Sequence, residues 1–504
     1  MNLPLRRVAL AMMIMIVLLL ANDMYVQVVK ADSYRANPNN QRVVDDEYAR
    51  QRGVIVTADG KTVLASSTPT NDRLKYLRVY GNGPMYAPVT GYFSSIYGSR
   101  GIEQAENTIL DGSDDRLFVR RLSELITGKD LGGGNVELTV QPKVQAAGYN
   151  TMVNDGLTGA AVAIKPSTGE ILAMVNNPSY NPNPLASHDT KTQTKAMDSY
   201  NPESSSSPLI NQATSSTFQP GSTFKLVDAS AALSAGADPN ANTLPAQSRI
   251  PLPGTRSATL SNFDGETCPG GSGGKVSITD AIAHSCNTAF ATLAGQLGAG
   301  AITAQAAKYG FGSGMSIPLN VVGSCVGPRA GGDCMSIQGG EPGVYQSGIG
   351  QRDVQETPLQ NALIAATIAN GGKEMQPQLV ESLLAPDLST IQGFSPQVMN
   401  DDVISPGVAA ALKNAMLQSE SNSGTLNKDP NIQIASKTGT AEHGPDPKHT
   451  QPYGWYVAFA PADNPQIAVA VVVTSGGNLS AATIGAKVAA PIGRAMINAD
   501  LGGG

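Results

Sequence analysis

The sequence predicts an α+β protein in two folded parts, tethered by one N-terminal apolar helix, and three observations carry that prediction. At 504 residues the chain exceeds what one hydrophobic core ordinarily serves. Strand-length apolar runs stand at both ends of its larger part, with helix-like patterns between them. The third observation is a run near the N-terminus that is apolar throughout. Composition agrees: 41% hydrophobic and 15% charged residues, with 54 Gly and 33 Pro, describe a loop-rich globular chain and exclude a disordered one.

Residues 1–7 read as a cytoplasmic tail and 8–29 as a transmembrane signal anchor. The run from Val8 to Ala21 is uninterrupted, and Tyr25, Val26, Val28 and Val29 extend it toward the ~20 residues a bilayer requires. Ala21-Asn22-Asp23 is a poor small-x-small cleavage site, which favours an uncleaved anchor. Arg6 and Arg7 ahead of the run predict an inside N-terminus and an exported remainder. No later run is long enough to span, so a single pass is expected. Residues 30–48, with Asn37-Pro38-Asn39-Asn40, read as a linker.

The first folded part, 49–134, opens on the strand signal Val54-Ile55-Val56, closed by an Asp59-Gly60 turn. After Gly132-Gly133-Gly134, the second part, 135–504, begins with the strand-like Val136 to Val140. A buried hairpin follows, Gly159 to Ile164 and Ile171 to Val175 around the turn Pro166 to Gly169. Near the end come the apolar strands Gly454 to Phe459 and Ile467 to Thr474, then a helix-like stretch from Thr483 to Ile497. These ends predict a central sheet with helices on its faces, its first and last strands drawn from opposite ends of this part.

With 34 basic against 40 acidic residues, a net charge of -6 and no long basic run after the N-terminus, a nucleic-acid partner is excluded. Cys268, Cys286, Cys325 and Cys334 have neither CxxC spacing nor paired histidines, so no metal or other cofactor is expected. They suit two disulfides in an oxidising compartment. Of three possible connectivities, sequence order favours Cys268 with Cys286 and Cys325 with Cys334. His443 and His449 match no zinc spacing and read as solvated loop residues.

The chemistry concentrates in three places. Gln219-Pro220-Gly221-Ser222-Thr223-Phe224-Lys225 enters an Ala-rich helix that ends near Gly236, and a spacing of three puts Ser222 and Lys225 on one helix face. An amine whose pKa is lowered by burial or nearby positive charge can take the serine proton. SxxK arises by chance about once or twice in such a chain. The second copy, Ser272 to Lys275, lies in a Gly-rich stretch with no helix behind it and is set aside. Ser285-Cys286-Asn287 offers a hydroxyl to relay a proton and an amide to hold a substrate amide. Lys437-Thr438-Gly439-Thr440 occurs once. Its lysine would supply positive potential, its hydroxyls would bind a carboxylate, and Gly439 would leave room for a substrate backbone.

SxxK opening a helix, then SxN, then KTG on an edge strand is the signature of penicillin-binding proteins and class A β-lactamases. The chain resembles the class B penicillin-binding proteins, in particular their actinobacterial branch, over nearly its whole length. Arg52-Gly53, Asp59-Gly60, Glu103-Gln104, Gly348 to Gln351, Thr357 to Gln360 and Gly454-Trp455 add to the likeness.

The resemblance implies the penicillin-binding transpeptidase fold: a central antiparallel sheet flanked by helices, an all-helical subdomain and an elongated N-terminal pedestal. It implies a peptidoglycan D,D-transpeptidase, in septal wall synthesis, that β-lactams inhibit covalently. Ser222 would be the nucleophile, Lys225 the base, Ser285 a relay and Asn287 a substrate anchor. Lys437, Thr438 and Thr440 would face the terminal carboxylate, and the amides of Ser222 and Thr440 would form an oxyanion hole. Implied partners are lipid-linked or nascent stem peptides, β-lactams, the cytoplasmic membrane and division proteins. No glycosyltransferase region precedes residue 130. Two other readings share these residues: a D-alanyl-D-alanine carboxypeptidase or β-lactamase, and a largely non-catalytic division scaffold or β-lactam sensor.

Overall fold

The computed structural model describes residues 3–30, 48–118, 132–315, 317–444, 450–476 and 485–502. Helix Leu3–Met24 continues as a π-helical segment, Tyr25–Val29, and is exposed from Pro4 onward. It is the one described helix long and apolar enough to cross a membrane. Apart from Lys30 and Tyr48, the expected linker lies outside the described residues, as does His449.

A mixed six-stranded sheet forms the base. Its order is Thr390–Gly393, Val380–Leu384, Asn135–Leu138, Ile55–Val56, Val63–Pro69 and Tyr76–Tyr80. Asn135–Leu138 pairs parallel with Ile55–Val56 on one side and antiparallel with Val380–Leu384 on the other. The sheet therefore runs across the boundary expected at residue 134, joining the pedestal to two strands from far along the chain. At this junction Gly53 passes so close to Gly134 that a Cβ on it would meet the Gly134 carbonyl oxygen at 1.8 Å.

Arg52 and Glu103, separate motifs in the sequence, meet in the pedestal core. Glu103 Oε2 accepts from Arg52 Nε at 3.0 Å, and Oε1 accepts from Arg78 Nε at 2.6 Å and from the Tyr80 hydroxyl at 3.1 Å. All four residues are buried. Burial by itself pushes the Glu103 carboxyl upward, but Arg78 and Arg52 outweigh it and hold the group below its ordinary range.

The larger part is built on a five-stranded antiparallel sheet in the order Ala435–Ala441, Tyr453–Ala460, Ile467–Gly476, Leu157–Ile164, Ile171–Asn177. The expected juxtaposition is present: Val471 of the last strand pairs with Ala161 of the first. Alternate residues serve two cores. Trp455, Val457 and Phe459 join the core that includes helix Pro358–Ala369, while Tyr456, Ala458 and Ala460 join the one that includes helix Gly485–Leu501. With both faces covered, these strands read as continuous apolar runs. Helices Lys225–Ser234, Ile278–Ala283, Asn287–Lys308 and Pro406–Ser421 pack on one another beside the edge strand Ala435–Ala441. That edge is where the site lies.

Candidate active site

Ser222 sits in a 3₁₀ turn, Gly221–Thr223, and Lys225 is the first residue of the α-helix that follows. Residues three apart eclipse in a 3₁₀ turn, so the pair keeps the shared face expected of a continuous helix. Glycines place the turn. The Gly221 amide donates to the Gly350 carbonyl at 2.9 Å, and a Cβ on Gly350 would lie 2.0 Å from the Gly221 oxygen. Trp455 Nε1 donates to the Gln219 carbonyl at 2.8 Å, tying the turn to the sheet.

Asn287 opens helix Asn287–Lys308, and Ser285 just before it is held at φ 58°. A left-handed backbone at a non-glycine residue is sparsely populated and persists where surrounding contacts hold it. The adjacent residue, Cys286, is tied to Cys268 by a disulfide. The second disulfide joins Cys325 to Cys334, so the pairing favoured by sequence order is the one formed.

These elements bring two buried lysines to one hydroxyl. Lys437 Nζ donates to Ser285 Oγ at 2.9 Å and to the Thr438 carbonyl at 2.8 Å. Lys225 Nζ donates to the Ser285 carbonyl at 2.7 Å and to Asn287 Oδ1 at 2.8 Å, with Ser285 Oγ at 3.5 Å. Both lysines are 0% exposed. Burial, reinforced by Lys437, pushes the Lys225 amine well below its ordinary value, with Asp228 acting the other way. Burial brings Lys437 down to about 7. A neutral amine has two N–H donors, and the two short contacts of Lys225 use both, leaving its lone pair unspent.

Four expectations change in detail. Ser222 Oγ makes no hydrogen bond among the described residues, because the Lys225 amine turns to Ser285 and Asn287 instead. The Asn287 amide is engaged within the protein, accepting from Lys225 and donating to the Ser261 carbonyl at 3.2 Å. Gly439 is required for packing: a Cβ there would meet the Pro220 oxygen at 2.7 Å and Trp455 Cβ at 3.1 Å, so its missing side chain lets the nucleophile turn seat against the strand. His443 is half-buried and stacks on Tyr453 with ring centroids 3.7 Å apart, so it is not a freely solvated loop residue. The set-aside Ser272 and Lys275 form an exposed tight turn, each amide donating to the other's carbonyl.

Ser222, Ser285, Asn287, Thr438, Gly439 and Thr440 line one cavity of about 920 Å³, with Lys225 and Lys437 beneath its surface. Sequence reading passed over Gln351, Arg249, Glu266 and Glu442, which also line it. Gln351 stands in a quoted motif, but only the fold carries the other three to the cleft. It also missed Asp228, a buried acid one helical turn beyond Lys225. The signal for it was an ionisable residue inside an apolar helix. The arrangement sets the Ser285 hydroxyl against two buried amines, one of them beside Asn287, at the wall of a cavity that the Ser222 turn and two threonines also line.

Residues 159–498 match the family model described as penicillin binding protein transpeptidase domain, and residues 52–136 match the penicillin binding protein A dimerisation domain. The chain is 50% identical to the peptidoglycan D,D-transpeptidase PbpA of Mycolicibacterium smegmatis over 99% of both chains. It is 48% identical to the protein of that name from Mycobacterium tuberculosis over 100% of both. Its fold is similar to that of penicillin-binding protein A from M. tuberculosis in a penicillin G acyl-enzyme complex, with a TM-score of 0.83 and 46% identity, covering 90% of this chain and 100% of that one.

Proposed function

The chain belongs to the class B penicillin-binding proteins, the peptidoglycan D,D-transpeptidases, and from that premise we propose how its own residues carry the acyl transfer. Ser222 attacks the penultimate D-alanine carbonyl of a stem peptide, and its proton passes to Lys225. The C–N bond breaks, and the terminal D-alanine leaves as an amine that takes a proton through Ser285. An amine of a neighbouring stem then attacks the ester carbonyl, the C–Oγ bond breaks, and the proton the amine loses passes to Ser222 Oγ, leaving free Ser222 and the cross-link. The amides of Ser222 and Thr440 hold the oxyanion, Asn287 orients the site, and Lys437, Thr438 and Thr440 meet the substrate carboxylate. β-Lactams enter by the same route and stay as esters on Ser222.

The observation that carries this reading is the pair of buried lysines converging on Ser285 beside a cavity lined by Ser222. Burying two amines without a carboxylate hydrogen-bonded to either is costly unless at least one is neutral, which is the state a general base needs.

The N-terminal helix would be a single-pass anchor with its Arg6-Arg7 end in the cytoplasm, placing the catalytic domain outside the membrane, where disulfides persist. A septal role in company with division proteins is the finer part of the proposal. A fluorescent fusion concentrated at mid-cell supports it, and an even lateral signal replaces it with a role in elongation.

The central test is labelled penicillin on the full-length chain, followed by mapping of the modified peptide. A long-lived label on the peptide containing Ser222, lost in Ser222→Ala, is expected. Rapid turnover of the label would make the chain a hydrolase, and a label retained by Ser222→Ala would overturn the assignment of the nucleophile.

A further inference from the structure

Glu442 lines the active-site cavity one residue past the end of the edge strand Ala435–Ala441, and its carboxylate has no ion pair or hydrogen bond among the described residues. It continues a row. Thr438 and Thr440 are half-buried and line the cavity, Glu442 is exposed, and the intervening Lys437, Gly439 and Ala441 are buried. Side chains that alternate in this way put 438, 440 and 442 on one face, about 7 Å apart at each step. Among the described strands this one pairs only with Tyr453–Ala460, so its outer side is an open sheet edge along which a peptide can lie.

The site gives that peptide a direction. Lys437 Nζ meets Ser285 Oγ at the start of the row, where the proposed acyl transfer puts the leaving D-alanine. The nucleophile turn seats farther along: a Cβ on Gly221 would lie 2.6 Å from the Thr440 carbonyl oxygen and 3.2 Å from Ala441 Cβ. The carbonyl under attack therefore lies beside Thr440 and Ala441, and the chain upstream of it runs toward Glu442. An extended peptide advances about 3.3 Å per residue, so the residue just ahead of the D-alanyl pair comes level with position 442. Arg249 and Glu266 also line the cavity, but on the wall whose Ser261 carbonyl accepts from Asn287, and neither forms an ion pair with Glu442.

We propose that Glu442 is a specificity-determining residue, one that holds an ammonium carried by the residue immediately upstream of the D-alanyl pair in the donor stem. The inference rests on the assignment of Ser222 and this strand edge as the transpeptidation site. Cross-linking consumes an amine of a neighbouring stem, and donors and acceptors are drawn from one pool. A donor that has not yet served as acceptor therefore still carries that amine. An unpaired carboxylate at the upstream end of the row attracts an ammonium and repels an acidic group. Once the amine is acylated in a cross-link its charge is gone, so Glu442 favours unlinked stems as donors.

Ampicillin and penicillin G test this on the full-length chain, because they differ by one amine on the carbon next to the side-chain carbonyl, the place of the upstream residue. The acylation rate constant of each is measured by competition with a labelled penicillin at about pH 6.5, where an α-amine is mostly protonated. The ratio of ampicillin to penicillin G cancels any change common to both. It should fall at least about twofold in Glu442→Gln and further in Glu442→Lys, and in the unsubstituted chain it should fall as salt is raised. A smaller change in Glu442→Gln overturns the proposal. So does a fall of that size in Glu266→Gln with none in Glu442→Gln, which would put the ammonium on the opposite wall. If Glu442→Lys melts early, Glu442→Gln alone decides. Ser222→Ala run in parallel separates the cases: a label that survives there defeats the assigned nucleophile, whereas its loss with an unmoved ratio defeats only the role of Glu442.

Discussion

Glu420 anchors the strand that carries Lys437, and replacing it by glutamine should weaken the fold by a large and measurable amount. Its Oε1 accepts from Arg494 at Nε, 2.9 Å, and Nη2, 2.8 Å. Its Oε2 accepts from Ser423 Oγ at 2.8 Å, the Tyr456 hydroxyl at 3.1 Å and Ser436 Oγ, the residue just before Lys437. Arg494 is 0% exposed. Removing one partner of a buried ion pair leaves the other charge uncompensated and costs about 3–5 kcal/mol, whereas neutralising both costs much less than the sum. Glu420→Gln should therefore be destabilised by about 3–5 kcal/mol, and Glu420→Gln with Arg494→Met should show a coupling of about 2 kcal/mol or more. Urea denaturation can be followed through Trp455, the chain's single tryptophan, which pairs in register with Gly439 and is fully buried. A loss under about 1 kcal/mol, or additive effects in the double variant, would refute the view that this ion pair holds the strand.

Gly439→Ala should slow acylation by labelled penicillin at least about tenfold, because its Cβ would press on the Pro220 carbonyl 2.7 Å away and displace the nucleophile turn; an unchanged rate would return the glycine to the role of leaving room for substrate. In the pedestal, Glu103 is depressed below its unfolded value, so the stability it adds is complete above the ordinary glutamate range and is lost as pH falls through the folded value. Glu103→Gln should lower stability at neutral pH and flatten that acid dependence in denaturation curves taken from pH 7 downward, and a variant retaining the wild-type acid slope would assign the dependence to other carboxylates.

Much of the fold was legible because its signals are local. Strands Leu157–Ile164, Ile171–Asn177, Tyr453–Ala460 and Ile467–Gly476 coincide with apolar runs, since burial on both faces leaves little room for polar residues. Strand Asn135–Leu138 was also visible, but its partners were not. A four-residue run carries no mark that its neighbours are Ile55–Val56 and Val380–Leu384. The three motifs were readable by residue type and order. The packing of Gly439 against the Pro220 carbonyl was not readable, because a glycine in a strand looks the same whether its open side faces a ligand or another backbone.

The amino-acid order alone determined the apolar N-terminal helix, the two buried strand pairs at either end of the larger part, the candidate nucleophile with its lysine, and the favoured cysteine pairing. Each of these is set by neighbours within a few turns or strands of chain. Only the tertiary structure decided that Lys225 and Lys437 share Ser285, that Asp228 is fully buried without a hydrogen-bond partner among the described residues, and that Arg52 and Arg78 meet at Glu103. The physical reason is that desolvation and Coulomb interaction depend on distance and burial in space, and residues far apart along the chain acquire both only when the sheet edge and the helices close around them.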